Sequence, residues 1–234
     1  MTAGSGGPLK VFVVAGEPSG DALGAKLMRA LRTSRWNVRF AGVGGAGMEA
    51  EGLHSLFPMA DIAVMGLLPV IRRLPTLINR INRTAAAAIA EAPDVVVLID
   101  SPDFTHRVAR KIRKAAPSIP IIDYVSPTVW AWRPGRARAM RAIFDHVLAV
   151  LPFEPAAHVR LGGPPCSYVG HPLIERFADL RPRPEDALQR EFARNVLLLP
   201  GSRLSEVTRL MPLYGEAVAR LCADQPGVTF QLPV

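Results

Sequence analysis

The feature that most constrains the fold is the run D-V-V-V-L-I-D-S-P-D-F at residues 94–104. Val95 to Ile99 are all apolar and mostly β-branched. The run is too short for a buried helix and suits a strand covered on both faces, as in a parallel sheet. It stops at Asp100, and Pro102 lacks the backbone donor that a continuing strand would need. Asp100 and Asp103 therefore lie just past the carboxyl end of a central strand, the edge where open α/β sheets bind ligands. An Asp in that position either caps the next helix or serves chemistry, and this stretch alone supports both.

The same grammar recurs along the chain. Residues 10–15 (K-V-F-V-V-A) read as a buried strand, 16–21 (G-E-P-S-G-D) as a tight turn and 22–32 as an amphipathic helix. Strand, glycine loop and helix open a doubly wound fold. The loop is not G-x-G-x-x-G, so it argues weakly for a dinucleotide, and Glu17 and Asp21 would repel a phosphate there. A second strand at 38–43 ends among Gly42, Gly44, Gly45 and Gly47, which either admit a ligand close to the backbone or form an ordinary turn. Helices are expected at 85–92 and 104–116, with Asp103 the better cap of the latter. Strands are expected at 120–125 and 146–150. Between these strands, S-P-T-V-W-A-W at 126–132 carries two tryptophans that either fill core or line an apolar pocket. His171 sits in a loop at another strand end, which raises its functional weight.

Residues 178–194 are charged, contain two prolines and read as a linker. A strand at 195–199, P-G-S-R at 200–203, a helix at 204–222 and a strand at 228–232 then restart the pattern. Gly201 and Ser202 at a helix start offer backbone N–H groups, and Arg203 offers a fork that can hold a diphosphate; a simple turn with an exposed arginine is the alternative. The expected fold class is α/β: a Rossmann-like doubly wound domain over 1–177, a linker over 178–194 and the incomplete start of a second Rossmann-like domain over 195–234.

Hydrophobic residues make up 49% of the 234, enough for a sizeable core, which excludes a largely disordered chain. The net charge of +8 favours anionic partners: nucleic acid, phosphate-bearing substrates or an anionic membrane surface. Cys166 and Cys222 stand in unrelated contexts without metal or redox spacing, so a reducing compartment is the default; no D-x-D motif for a divalent ion occurs, and no metal and no cofactor are expected. The start lacks the apolar core of a signal peptide, and no stretch offers the ~20 apolar residues of a membrane span. Residues 65–83 interleave Leu67, Leu68, Ile71 and Leu74 with Arg72 and Arg73. That pattern suits a membrane interface or a helix packed on the sheet, and Pro69 and Pro75 argue against one regular helix. Trp130 and Trp132 beside arginines suit single-stranded nucleic acid and a phosphorylated amphiphile equally; nucleic acid is not the expected partner.

Carboxylates on one α/β unit and a phosphate loop on another suit displacement at a sugar-nucleotide carbon. There a carboxylate takes the acceptor's proton and an arginine stabilises the departing diphosphate. Eight motifs occur in order: A-G-E-P-S-G-D (15–21), G-V-G-G (42–45), M-G (65–66), I-D-S-P-D-F (99–104), Y-V-S-P-T-V-W-A-W (124–132), L-P-F-E (151–154), G-H-P (170–172) and L-L-P-G-S-R (198–203). Together they resemble the lipid-A-disaccharide synthase family over essentially the whole chain. The resemblance implies a GT-B glycosyltransferase that moves a 2,3-diacylglucosamine unit from UDP to 2,3-diacylglucosamine 1-phosphate, with inversion and without metal. It implies Asp100 as the base and Arg203 as a diphosphate contact. Further substrate contacts are expected at Glu17, Ser19, Asp21, Ser126, Trp130, His171, Gly201 and Ser202. Residues 65–83 then attach the protein peripherally to the cytoplasmic face of the inner membrane.

Family members continue well beyond residue 234, so this chain is expected to lack transferase activity alone, as a fragment, a truncated product or half of a pair completed by another polypeptide. The competing readings are a UDP-sugar epimerase of the same fold and a non-catalytic lipid-binding module.

Overall fold

Apolar residues in the first two central strands alternate between two separate cores, which places the sheet in the middle of a three-layer α/β/α unit. The computed structural model describes residues 7–34, 37–63, 73–176, 194–201 and 204–233. These fall into two compact units, Met1–Ile174 and Glu175–Val234.

The first unit holds six parallel strands: β1 (Leu9–Ala15), β2 (Val38–Val43), β3 (Val95–Ile99), β4 (Ile121–Tyr124), β5 (His146–Ala149) and β6 (Cys166–Tyr168). Their spatial order is β2-β1-β3-β4-β5-β6. In β1 and β3, Phe12, Val14, Val96 and Leu98 face one core. Val11, Val13, Ala15, Val97 and Ile99 face the other. Both faces are dry, which is why these strands read as unbroken apolar runs. The register sets Ala15 opposite Ile99, so β1 and β3 end side by side. The chain leaves β1 towards β2 on one side and leaves β3 towards β4 on the other. This reversal is the topological switch point, where such sheets open a crevice beyond the strand ends.

Three helices frame the crevice. Helix α1 (Pro18–Ser34) covers one face, its buried Leu23, Ala25 and Met28 meeting Met48 of the short α2 (Ala46–Ala50). It begins at Pro18, four residues earlier than the sequence pattern suggests, because Pro is well suited to a first helical turn whose N–H groups have no intrahelical partner. Helix α3 (Leu74–Glu91) covers the other face together with α4 (Pro102–Ala115). Here Pro75 does not interrupt a helix, as expected from sequence, but stands in the first turn of one. The alanine-rich stretch and the second half of residues 65–83 are thus one continuous helix. Its arginines are partly absorbed into the protein: Arg80 pairs with Asp61 at 2.7 Å and lies 4.7 Å over the Phe57 ring. Helices α5 (Gly135–Met140) and α6 (Glu154–Leu161) complete the unit.

The second unit contains β7 (Asn195–Leu197), α7 (Leu204–Asp224) and β8 (Thr229–Gln231), the strands being parallel. The Tyr214 hydroxyl of α7 donates to the Leu199 carbonyl at 3.1 Å, tying the helix to the end of β7. Among the described residues no helix is long and apolar enough to cross a membrane.

Candidate functional site

At the switch point the backbone itself is unusual. Asp100 and Ser101 both take left-handed conformations, with φ of 54° and 47°. For non-glycine residues this costs energy and recurs where surrounding structure holds functional groups in place. The turn ends β3 abruptly and starts α4 at Pro102, with Ser101 as its N-cap. The Ser101 carbonyl accepts from the N–H groups of Phe104 and Thr105. Asp103 is therefore not the helix cap expected from sequence. It sits inside the first turn, 94% exposed, with Arg136 3.6 Å away. Asp100 accepts from the Ser101 N–H through Oδ1 at 2.8 Å.

The loop after β1 meets the loop after β3. A Cβ on Gly16 would stand 2.6 Å from both Cβ and Oγ of Ser101, so only glycine allows this approach. The approach brings Glu17 to Asp100. The hydrogen bond between the two carboxyl groups is the main reason that the Glu17 pKa is pushed up to about 7, with burial and the Asp100 charge adding to it and Ser19 opposing it. Near neutral pH Glu17 is therefore partly protonated, which lessens the negative charge that it adds to the crevice.

Glu17 and Asp100 border a cavity of about 340 Å³. Its apolar lining comes from one face of α3, Leu74, Leu77, Ile78 and Ile81, with Phe104 and Arg107 contributed by α4. Leu74 and Ile78 remain 45% and 48% exposed. The spacing of these four residues puts them on one helical stripe. A carboxylate pair and an aliphatic wall lining one small cavity fit a ligand with both a hydroxyl-bearing head and an apolar chain.

The other expected site residues are dispersed. Ser19 is exposed in the first turn of α1. Asp21 is 8% exposed and does not face the cavity. Its carboxylate accepts from the N–H groups of Gly45, Gly47 and Met48 at 2.7, 2.8 and 3.0 Å, so it binds the start of α2 rather than a ligand. This also accounts for the glycine cluster at 42–47, which closes on a carboxylate of its own chain. Ser126 is buried, 2.8 Å from His158 Nε2, and burial pushes the His158 pKa down. The Trp130 Nε1–H donates to Glu154 at 3.4 Å, and its ring stands edge-on to Phe153 at 5.0 Å. Glu154 in turn accepts from the Leu151 N–H at 2.9 Å. Neither tryptophan fills the core or lines this cavity, the two roles left open by the sequence: Trp130 is 39% exposed though anchored by Glu154, and Trp132 is 64% exposed. His171 accepts from the Leu173 N–H at 3.2 Å, within its own loop.

Arg73 is exposed, and its side chain donates to the Ala60 carbonyl at 3.3 Å. Leu67, Leu68, Ile71 and Arg72 lie outside the described residues, as do Ser202 and Arg203 and most of the expected linker. In the second unit Gly201 has φ of 107°, and a Cβ there would stand 2.5 Å from a Glu206 carboxylate oxygen. No group of three or more His, Cys, Asp or Glu side chains is placed to hold a metal among the described residues.

Sequence reasoning did not single out His158 or Arg107, and it quoted Glu154 only as the last residue of L-P-F-E, without a role. Glu154 and His158 stand one turn apart on α6, a spacing that becomes informative only once the Ser126–Trp132 loop is known to fold over it. Arg107 follows Asp103 by four residues, but its place on the cavity depends on α3 packing beside α4.

The sequence profile of the lipid-A-disaccharide synthetase family matches residues 11–234. A lipid-A-disaccharide synthase of Rhodopseudomonas palustris strain BisB18 is 60% identical over 95% of this chain and 56% of its own length. The one from strain HaA2 is 54% identical over 99% of this chain and 59% of its own. The chain therefore spans a little over half the length of these relatives. A UDP-GlcNAc 2-epimerase from Neisseria meningitidis, solved bound to UDP-GlcNAc, superposes with a TM-score of 0.59 over 96% of this chain and 64% of its own, at 12% identity. That likeness establishes a shared Rossmann-like α/β fold.

Proposed function

Since the chain belongs to the lipid-A-disaccharide synthetase family, we propose that the whole protein transfers a diacylglucosamine unit from a UDP-linked donor to diacylglucosamine 1-phosphate, and that the crevice after β1 and β3 holds the acceptor. The observation that carries this reading is the Glu17–Asp100 pair and an aliphatic wall lining one cavity. The acceptor is an amphiphile. Its acyl chain lies along Leu74, Leu77 and Ile78, and its hydroxyl reaches Asp100.

Asp100 is the general base. Glu17, its pKa pushed up to about 7, is the hydrogen-bonded neighbour, and Asp100 at the end of β3 receives the acceptor's proton. As the hydroxyl proton passes to the Asp100 carboxylate, the hydroxyl oxygen forms a bond to the donor's anomeric carbon and the bond to the diphosphate breaks. UDP leaves with that electron pair, and the configuration at carbon inverts. The diphosphate is assigned to Gly201, Ser202 and Arg203, whose sequence P-G-S-R offers a hydroxyl and a guanidinium fork suited to its charge. Asp21 acts through the loop that it closes. Ser126 and Trp130 act through the rim that they brace. Exposed Leu74 and Ile78 support peripheral attachment to a membrane surface, from which the acyl chains enter.

In the complete protein, Asp100→Ala lowers turnover by roughly 10²- to 10⁴-fold, the range for loss of a general base, with an unchanged circular dichroism spectrum. Turnover within a factor of two of the parent removes Asp100 from the role. Chromatography of the products separates a disaccharide from the epimerised UDP-sugar that the alternative activity would give.

A further inference from the structure

The acceptor reading leaves the amphiphile's phosphate without a partner, and the cavity supplies one. Three carboxylates, Glu17, Asp100 and Asp103, border the cavity and oppose an anion. Among the described residues lining it, Arg107 is the single cation. Asp103 is partly offset by Arg136 at 3.6 Å. Arg107 stands one turn beyond Asp103 on the same face of α4, exposed rather than buried. Helical side chains lean towards the helix N-terminus, so an arginine at this position inclines back towards the loop that carries Asp100. In a hexopyranose the anomeric carbon and the carbon bearing the hydroxymethyl group both flank the ring oxygen, so the phosphate and the reacting hydroxyl leave the same side of the ring and fit neighbouring groups of one cavity. With the hydroxyl at Asp100 and the acyl chains on the α3 wall, the anomeric phosphate falls towards Arg107.

We propose that Arg107 holds the phosphate of the acylated sugar and makes the cavity select a phosphorylated amphiphile over its neutral counterpart. A guanidinium can grip a phosphate with two parallel hydrogen bonds, which a lysine cannot reproduce. The inference rests on the acceptor reading and goes beyond it by assigning the specificity-determining residue.

The test is a pair of titrations of the full chain, in neutral detergent micelles, with 2,3-diacylglucosamine 1-phosphate and with the same lipid lacking the phosphate. The parent protein is expected to prefer the phosphorylated form by about tenfold or more, a preference that weakens with added salt. Arg107→Ala is expected to abolish the preference while leaving affinity for the neutral lipid unchanged, and Arg107→Lys to retain part of it. If Arg107→Ala keeps the preference, the phosphate is held elsewhere and the proposal fails. If it weakens both lipids equally, Arg107 only shapes the cavity, and the proposal also fails. A parent that binds both lipids without preference overturns the assignment of Arg107 but leaves the acceptor site standing. A parent that binds neither overturns the acceptor site as well.

Discussion

Glu17 shows how the titration of one acidic residue is set by another far from it in sequence, Asp100. The Glu17 pKa in the folded chain is about 7, against an ordinary value of 4.5, chiefly because of the hydrogen bond with Asp100. A raised acid pKa means that folding retains a proton which the unfolded chain releases. The stabilising contribution is therefore fully present below pH 4.5, declines as pH rises and is gone above about pH 7. Glu17→Gln keeps the hydrogen bond and removes the titration. The melting temperature of the parent should fall relative to the variant between pH 4.5 and 7 and then level off; a difference that stays flat from pH 4 to 8 contradicts the raised Glu17 pKa. Asp21 illustrates a separate lesson at this scale. It looks like an exposed loop acid in the sequence, yet three backbone N–H groups use its carboxylate, and buried donors left without an acceptor are costly.

At the scale of elements, the site depends on how closely two strand-end loops approach. Gly16 permits that approach because a Cβ would stand 2.6 Å from Ser101, whose own backbone is left-handed and cannot easily yield. Gly16→Ala should destabilise the first unit by about 1–3 kcal/mol, the usual cost of overpacking. It should also return the Glu17 pKa towards its ordinary value by separating the carboxyl groups. Denaturant unfolding and NMR titration of the Glu17 carboxyl carbon check the two effects, and a parent-like result in both would show that the loops are not set by this contact. Helix α3 carries a different constraint. Its apolar stripe does two jobs: Ile81, Ala85 and Ala88 are buried in the core, whereas Leu74 and Ile78 stay exposed beside the cavity. A single periodic pattern therefore supplies both the support and the wall of the site.

At the scale of the whole molecule, the two units differ in what they bury. Both clusters of buried apolar residues lie in Met1–Ile174. In the second unit Leu197, Leu199, Leu204 and Leu213 are 58%, 61%, 83% and 59% exposed. A chain ending at Ile174 should therefore melt cooperatively with near-ultraviolet dichroism intact, as expected of a domain with its own core. A broad, non-cooperative melt would show that the first unit requires residues of the second.

The sequence alone determined the α/β class, the central strands and the position of Asp100 at the end of one of them, though not the helices at 46–50 and 154–161. Runs such as Val95 to Ile99 admit only a strand buried on both faces, and proline and aspartate mark where it must stop. Eight local motifs also carried the family, since each is contiguous in the chain. Tertiary structure alone decided where each acidic side chain goes. Asp103 missed the cap because the left-handed turn at Asp100 and Ser101 moves the helix start to Pro102. Asp21 turned inward because the glycine loop after β2 closes over it, and Glu17 joined Asp100 because β1 and β3 end side by side. The aliphatic wall likewise appeared only once α3 packed beside α4. Local patterns follow from backbone sterics and burial over a few residues. A site joins residues scores of positions apart, and only the packing of the sheet sets the distances between them.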